Sequence, residues 1–122
     1  MPLIHLAAPY GDSNPAVTQT RMDAVTYELA DLASKGLVAF SPLLMHFCFD
    51  RGVELPSGYG FWQNYCLTIL EKSDQLIVLQ LPGWQGSPGV QDEISFARDR
   101  KIPIFFHNPG TQPSNPNNDI NP

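Results

Sequence analysis

The run Gln75-Leu76-Ile77-Val78-Leu79-Gln80-Leu81, stopped by Pro82-Gly83 and followed by Gly86-Ser87-Pro88-Gly89, constrains this chain more than any other segment. So short an apolar run between turn residues predicts a strand buried on both faces, the kind found in parallel sheets covered by helices. The order is strand, Gly-rich loop, helix. Ser87 is a good N-cap, Pro88 suits the first helical position, and Gly89 lets a ligand approach free backbone N–H groups at the positive end of the helix dipole. An anionic small molecule is expected there. Glu93 falls three residues after Val90 and four before Ala97, on the flank of the apolar face formed with Ile94, so its carboxylate is expected to face the sheet. The alternative is that Asp92 or Glu93 does no more than offset the helix dipole.

The remaining segments repeat the alternation. Leu3 to Ala8 predicts a first strand, closed by Pro9-Tyr10-Gly11-Asp12-Ser13-Asn14. Asn14 caps a helix begun by Pro15, with Val17, Met22, Val25, Leu29, Leu32 and Ala33 at helical spacing and Lys35-Gly36 at its end. Leu37 to Phe40 predicts a second strand, stopped by Ser41-Pro42. A long loop carrying Met45, His46, Phe47, Cys48 and Phe49 leads to a helix from about Phe61 to Lys72. After the Ser87 helix, Ile102 to Phe106 predicts the last strand. The expected fold is α/β, a flavodoxin- or Rossmann-like three-layer αβα arrangement with a four- to five-stranded parallel sheet and right-handed crossovers. Ligands bind such sheets beyond the carboxyl ends of the strands, where the loops Ala8 to Asn14, Ser41 to Phe49 and Pro82 to Gly89 meet. One domain over 1–107 is expected, followed by an Asn- and Pro-rich extended or disordered tail over 108–122.

Charge and composition narrow the function. A net charge of -5 argues against long nucleic acids as partners, because binding them normally needs clustered Lys and Arg, but leaves room for a small nucleotide. The start Met1-Pro2-Leu3-Ile4-His5 carries no basic segment with a long apolar core, and Cys48 and Cys66 form no CxxC pair. The expectation is a cytoplasmic protein with free thiols and no membrane span. No P-loop, no G-x-G-x-x-G after the first strand and no G-x-S-x-G elbow is present. His5, His46, His107, Cys48 and Cys66 show no metal-ligand spacing, so neither metal nor cofactor is expected.

The pattern Leu6-Ala7-Ala8-Pro9-Tyr10, the helix carrying Arg21, the strand ending Phe40-Ser41-Pro42, the Ser73-Asp74 pair and Ser87-x-Gly89-Val90-x-x-Glu93-Ile94-x-x-Ala97 together resemble the nucleoside 2-deoxyribosyltransferase superfamily. That superfamily includes nucleoside 5′-monophosphate N-glycosidases. The resemblance runs from the first strand to Phe106, and the Trp84-x-x-Ser87 loop is closer to small members of the group than to its well-studied enzymes. It implies that Glu93 is the nucleophile, that an aromatic residue near Tyr10 helps hold it, and that the turn at Ser87 and Gly89 contacts the sugar or its 5′-phosphate. It also implies a site closed by a neighbouring subunit; with Trp62, Tyr65, Phe61 and Phe49 offering more aromatic surface than one small core hides, a homodimer or dimer of dimers packed through the first and middle helices is expected.

The residue types suit that chemistry. Breaking a C1′–N bond builds positive charge on the sugar, which a carboxylate stabilises or captures as a glycosyl-enzyme intermediate. Water then completes hydrolysis, or a second base completes transfer. Tyr10 is expected to hydrogen-bond Glu93, or else to be an ordinary turn tyrosine. Pro9, Gly11, Arg21, Met45, His46, Asn64, Ser87, Gly89 and Asp92 complete the expected substrate-binding set. Arg21 reaches a phosphate, pairs with Asp74 or Glu93, or is exposed. Trp62 and Trp84 stack on a base or pack against the sheet. The family's acidic residue in the middle helix has no counterpart in Gln63-Asn64-Tyr65-Cys66-Leu67. Asn64 can hydrogen-bond a base but cannot serve as an acid, which leaves Asp92, His46 or a changed catalytic cycle. A catalytically silent nucleotide-binding or sensing module is the alternative function.

Overall fold

A computed structural model describes residues 1–110. Its elements are β1 (Leu3–Ala7), α1 (Pro15–Ser34), β2 (Val38–Phe40), a 3-10 turn (Pro42–His46), α2 (Phe47–Asp50), α3 (Tyr59–Glu71), β3 (Gln75–Leu79), a second 3-10 turn (Trp84–Gly86), α4 (Pro88–Asp99) and β4 (Ile104–His107). The four strands form one parallel sheet in the order β2-β1-β3-β4. The chain leaves β1 toward one edge and returns to β3 on the other side. This reversal opens a crevice at the carboxyl ends of β1 and β3.

Alternation along the strands sorts the core into two layers. Ile4, Leu6, Ile77 and Leu79 pack on Val25 and Leu32 of α1. On the opposite face, Ala7, Leu76 and Val78 pack on Leu70 of α3 and on Val90, Ile94 and Ala97 of α4. The expected three-layer α/β fold is therefore present, with four strands. His5 lies on the α3/α4 face, between Leu3 and Ala7, and is fully buried.

Three helical segments begin with a capping residue followed by proline. Asn14 accepts from the Ala16 N–H (2.9 Å), Ser41 from Leu43 (3.2 Å) and Ser87 from Val90 (3.4 Å). The Ser41-Pro42 pair corrects the long loop expected over Ser41 to Phe49, which is helical from Pro42 to Asp50. The middle helix begins at Tyr59 rather than Phe61, entered from Gly58 at φ 105°. The third strand stops at Leu79, because the Leu81 N–H turns back onto the Leu79 carbonyl (2.8 Å).

The last strand begins at Ile104 instead of Ile102 for a reason at the end of α4. The Ile102 N–H bonds the Ala97 carbonyl (2.8 Å) and the Lys101 N–H bonds Arg98 (3.1 Å), so Ile102 closes a Schellman motif. The end of α1 is built in the same way, with Gly36 at φ 79° in the left-handed position. In α4 that position holds Lys101 at φ 60°. The tail expected over 108–122 falls mainly on 111–122, which lie outside the described residues.

Lys101 bears a left-handed backbone that costs a side-chain-bearing residue energy and glycine none. Lys101→Gly is expected to raise unfolding stability by about 0.5–1 kcal/mol after allowing for the extra freedom of glycine in the unfolded chain. A urea midpoint that stays put or falls contradicts this reading of the cap.

Candidate active site

The crevice at the carboxyl ends of β1 and β3 holds a cavity of about 630 Å³. The three loops expected there supply most of its wall, completed by one face of α3, by Leu55 and Gly58 before it, by Arg21 of α1 and by Asp92 and Glu93 of α4. Of the expected site residues, Pro9, Tyr10, Gly11, Arg21, Met45, His46, Ser87, Gly89, Asp92 and Glu93 line it. Asn64 does not. It sits on the exposed side of α3, whereas Gln63, Cys66 and Leu67 face the cavity, one helical step of phase away.

Glu93 is 7% exposed, and its Oε2 lies 2.5 Å from Nε2 of the buried His5. An ionised carboxylate only accepts, so the bond needs the hydrogen on Nε2. Nδ1 of His5 is buried and has no partner among the described residues. With a neutral ring that nitrogen is a bare acceptor; an imidazolium would bury an unpaired N–H, the costlier arrangement. Expectation placed His5 only among unconvincing metal ligands. The signal was available: a polar residue in the middle of a buried strand needs a partner, and its alternation with Ile4 and Leu6 aims it at α4.

Tyr10 does not hold Glu93, and the expected bond is corrected on this point. Its hydroxyl lies 2.6 Å from Nδ1 of His46, and the two rings meet edge to face at 5.5 Å. Tyr10 follows the end of β1, so its side chain reaches the Pro42–His46 turn instead of α4. Burial, then the negative charge of Asp50, raises the Tyr10 pKa above its ordinary value. His46 also packs on Phe49 at 5.7 Å.

Arg21 meets neither Asp74 nor Glu93. Its guanidinium donates to the carbonyls of Tyr10 (3.3 Å), Gly11 (2.9 Å) and Pro82 (3.2 Å), tying the loop after β1 to the loop after β3. A Cβ on Gly83 would lie 2.8 Å from Arg21 Nη2, and Gly83 has φ +92°, so glycine is required where that tie crosses the chain. Asp74 instead accepts from the Leu3 N–H (2.7 Å). The Arg21 charge remains on the cavity wall.

At the start of α4, Ser87 Oγ accepts from Val90, and Pro88 has no N–H to offer. The Gly89 N–H has no protein acceptor among the described residues. Asp92 accepts from the Tyr59 hydroxyl and from Gln63 Nε2 (3.0 Å), two partners that pattern reading did not assign. Trp62 lines the cavity with its Nε1 donating to the Pro56 carbonyl (2.8 Å), whereas Trp84 packs on Phe106 (5.6 Å) outside the cavity. Among the described residues, no three His, Cys, Asp or Glu side chains converge as a metal ligand set, and no helix is long and apolar enough to cross a membrane.

Cys66 lines the same cavity with a thiol pushed up to about 12, by burial first and by the Glu93 charge second. From the ordinary value of 9.0, that rise makes its thiolate roughly three orders of magnitude scarcer at pH 8. Iodoacetamide at pH 8 is therefore expected to leave Cys66 unmodified in the folded protein while the unfolded chain reacts fully. Rapid carboxamidomethylation of native Cys66, read by peptide mass, contradicts the assignment.

Residues 2–108 match the family model described as Domain of unknown function (DUF1937). No curated protein matches the chain. The match takes in every strand and helix from β1 to β4, and the chain belongs to the DUF1937 family.

Proposed function

We propose that this protein cleaves the N-glycosidic bond of a small nucleoside or nucleoside 5′-monophosphate through Glu93, with hydrolysis or base transfer completing the cycle. The observation that carries the reading is the buried Glu93 carboxylate, held by a buried histidine on the wall of a cavity at the sheet's switch point. Burying a carboxylate is costly, and one hydrogen bond offsets little of that cost. A group kept in so unfavourable a place, beside a cavity of ligand size, suits a catalytic role.

The neighbours of Glu93 support the same chemistry. His5 holds one oxygen and leaves the other to approach C1′, where positive charge develops. The free Gly89 N–H, the Ser87 hydroxyl and the Arg21 charge favour an anion, such as a 5′-phosphate, at the start of α4. The unpaired Cys48 and Cys66 suit the reducing cytoplasm.

Purified protein incubated with a panel of nucleosides and 5′-monophosphates is expected to release free base, seen by chromatography, with monophosphates preferred. Glu93→Gln and Glu93→Ala are expected to lower that release by about 10³-fold or more while the fold is kept. A substantially active Glu93→Ala protein contradicts the mechanism. Binding of a nucleotide without base release by the unaltered chain favours the silent binding module instead.

The proposal extends to assembly as a homodimer or dimer of dimers. Phe47, Phe49, Tyr59 and Phe61 are exposed at and beside the cavity mouth, an apolar surface that a second copy of the chain would cover. Sedimentation at micromolar protein is expected to give a mass above the single-chain 13.5 kDa; a monomer with full activity contradicts this.

A further inference from the structure

Cleavage of a nucleoside needs a proton for the departing base as well as a carboxylate for the sugar, and the cavity holds few groups able to give one. Tyr59 and Asp92 are engaged with each other, the Tyr59 hydroxyl donating to Asp92 Oδ2, which also accepts from Gln63 Nε2 (3.0 Å). Asp12 is exposed and accepts from the Asn14 N–H (2.8 Å). A guanidinium is no practical acid, and Arg21 serves instead to hold three loop carbonyls. The Cys66 thiol, at about 12, is too weak an acid to serve at neutral pH. Glu93 is the nucleophile and must be ionised.

His46 remains, and imidazole gives and takes protons near neutral pH. Its Nδ1 is fixed 2.6 Å from the Tyr10 hydroxyl, and its ring is wedged between Tyr10 and Phe49. Nε2 has no protein partner among the described residues, so the nitrogen free to meet a substrate belongs to a ring on the cavity wall.

Resting on the glycosidase reading, we infer that His46 is the acid that protonates the departing base and the base that activates the entering water, with Tyr10 as its positioning residue. A Glu93 oxygen forms a bond to C1′ as the C1′–N bond breaks. The bonding pair goes to the base, and His46, entering this step as an imidazolium whose Nδ1–H donates to the Tyr10 oxygen, passes its Nε2 proton to that nitrogenous base and becomes neutral. In the second half, neutral Nε2 takes a proton from water, the water oxygen bonds to C1′, and the C1′–Oε pair returns to Glu93. The raised pKa of Tyr10 keeps its phenol protonated, so Tyr10 holds the ring without spending its own proton. His46 thus supplies what the carboxylate-free face of α3 lacks.

The test compares two leaving groups on the full chain: a purine 5′-monophosphate, whose base needs a proton, and 4-nitrophenyl riboside 5′-phosphate, whose phenolate does not. His46→Gln and His46→Ala are expected to slow first-turnover base release by about 10²–10³-fold. The nitrophenol burst should keep its rate within about threefold, since no proton transfer assists it. Steady-state nitrophenol release should then stall and recover with azide, a nucleophile that needs no base. Tyr10→Phe is expected to show the same split between leaving groups at smaller amplitude. An equal loss with both substrates marks a merely structural role and overturns the inference, as does no loss with either. If the unaltered chain releases neither base nor nitrophenol, the glycosidase reading itself falls, and this inference with it.

Discussion

The hydrogen bond between His5 and Glu93 joins the first strand to the last helix, and the site depends on it. Both partners are buried, and a buried carboxylate without this donor would be left unpaired. The bond therefore constrains where α4 sits on the sheet, and with it where the helix start lies relative to β1. Val90, Ile94 and Ala97 pack the same helix face onto Leu76 and Val78. Apolar packing supplies the adhesion of this layer, and the polar pair gives it an orientation that packing alone does not specify.

A second constraint acts at the loops. Parallel strands end on one edge, so the loops after β1 and β3 lie side by side, but nothing in the sheet ladder fixes their shape. Arg21 does so by donating to three carbonyls across both, at a place where only glycine fits at position 83. Its charge is therefore held on the cavity wall by bonds to neutral groups, without being neutralised by a carboxylate. The start of α4 then faces a cavity that carries one fixed cation and one unclaimed N–H, a polarity matched to an anion.

The fold was largely legible because its signals are local. Asn14-Pro15 and Ser87-Pro88 announce helix starts, and the apolar run before Pro82-Gly83 announces a central strand. Glu93 and the loops around it were legible for the same reason. What pattern reading missed depends on pairing across long separations or on small differences of phase. His5 meets a residue 88 positions away, and Tyr10 meets His46 rather than Glu93. Asn64 and Gln63 are neighbours in sequence, yet one faces solvent and the other the cavity. Ser41-Pro42 carried the same start signal as the other two pairs, but the segment behind it is too short to show helical periodicity. Ile102 reads as a strand residue because it is apolar and opens an apolar run, while its N–H belongs to the cap of α4.

A nucleophilic Glu93 is tested most directly by trapping its covalent intermediate. Acid-quenched protein, after incubation with a 2′-fluoro nucleoside 5′-monophosphate that slows the second step, is measured by intact mass and peptide mapping. A mass increase of one glycosyl phosphate unit is expected, located on the peptide that contains Glu93 and absent in Glu93→Gln. A label on another residue contradicts it, and so does base release with no label and an inverted configuration at C1′.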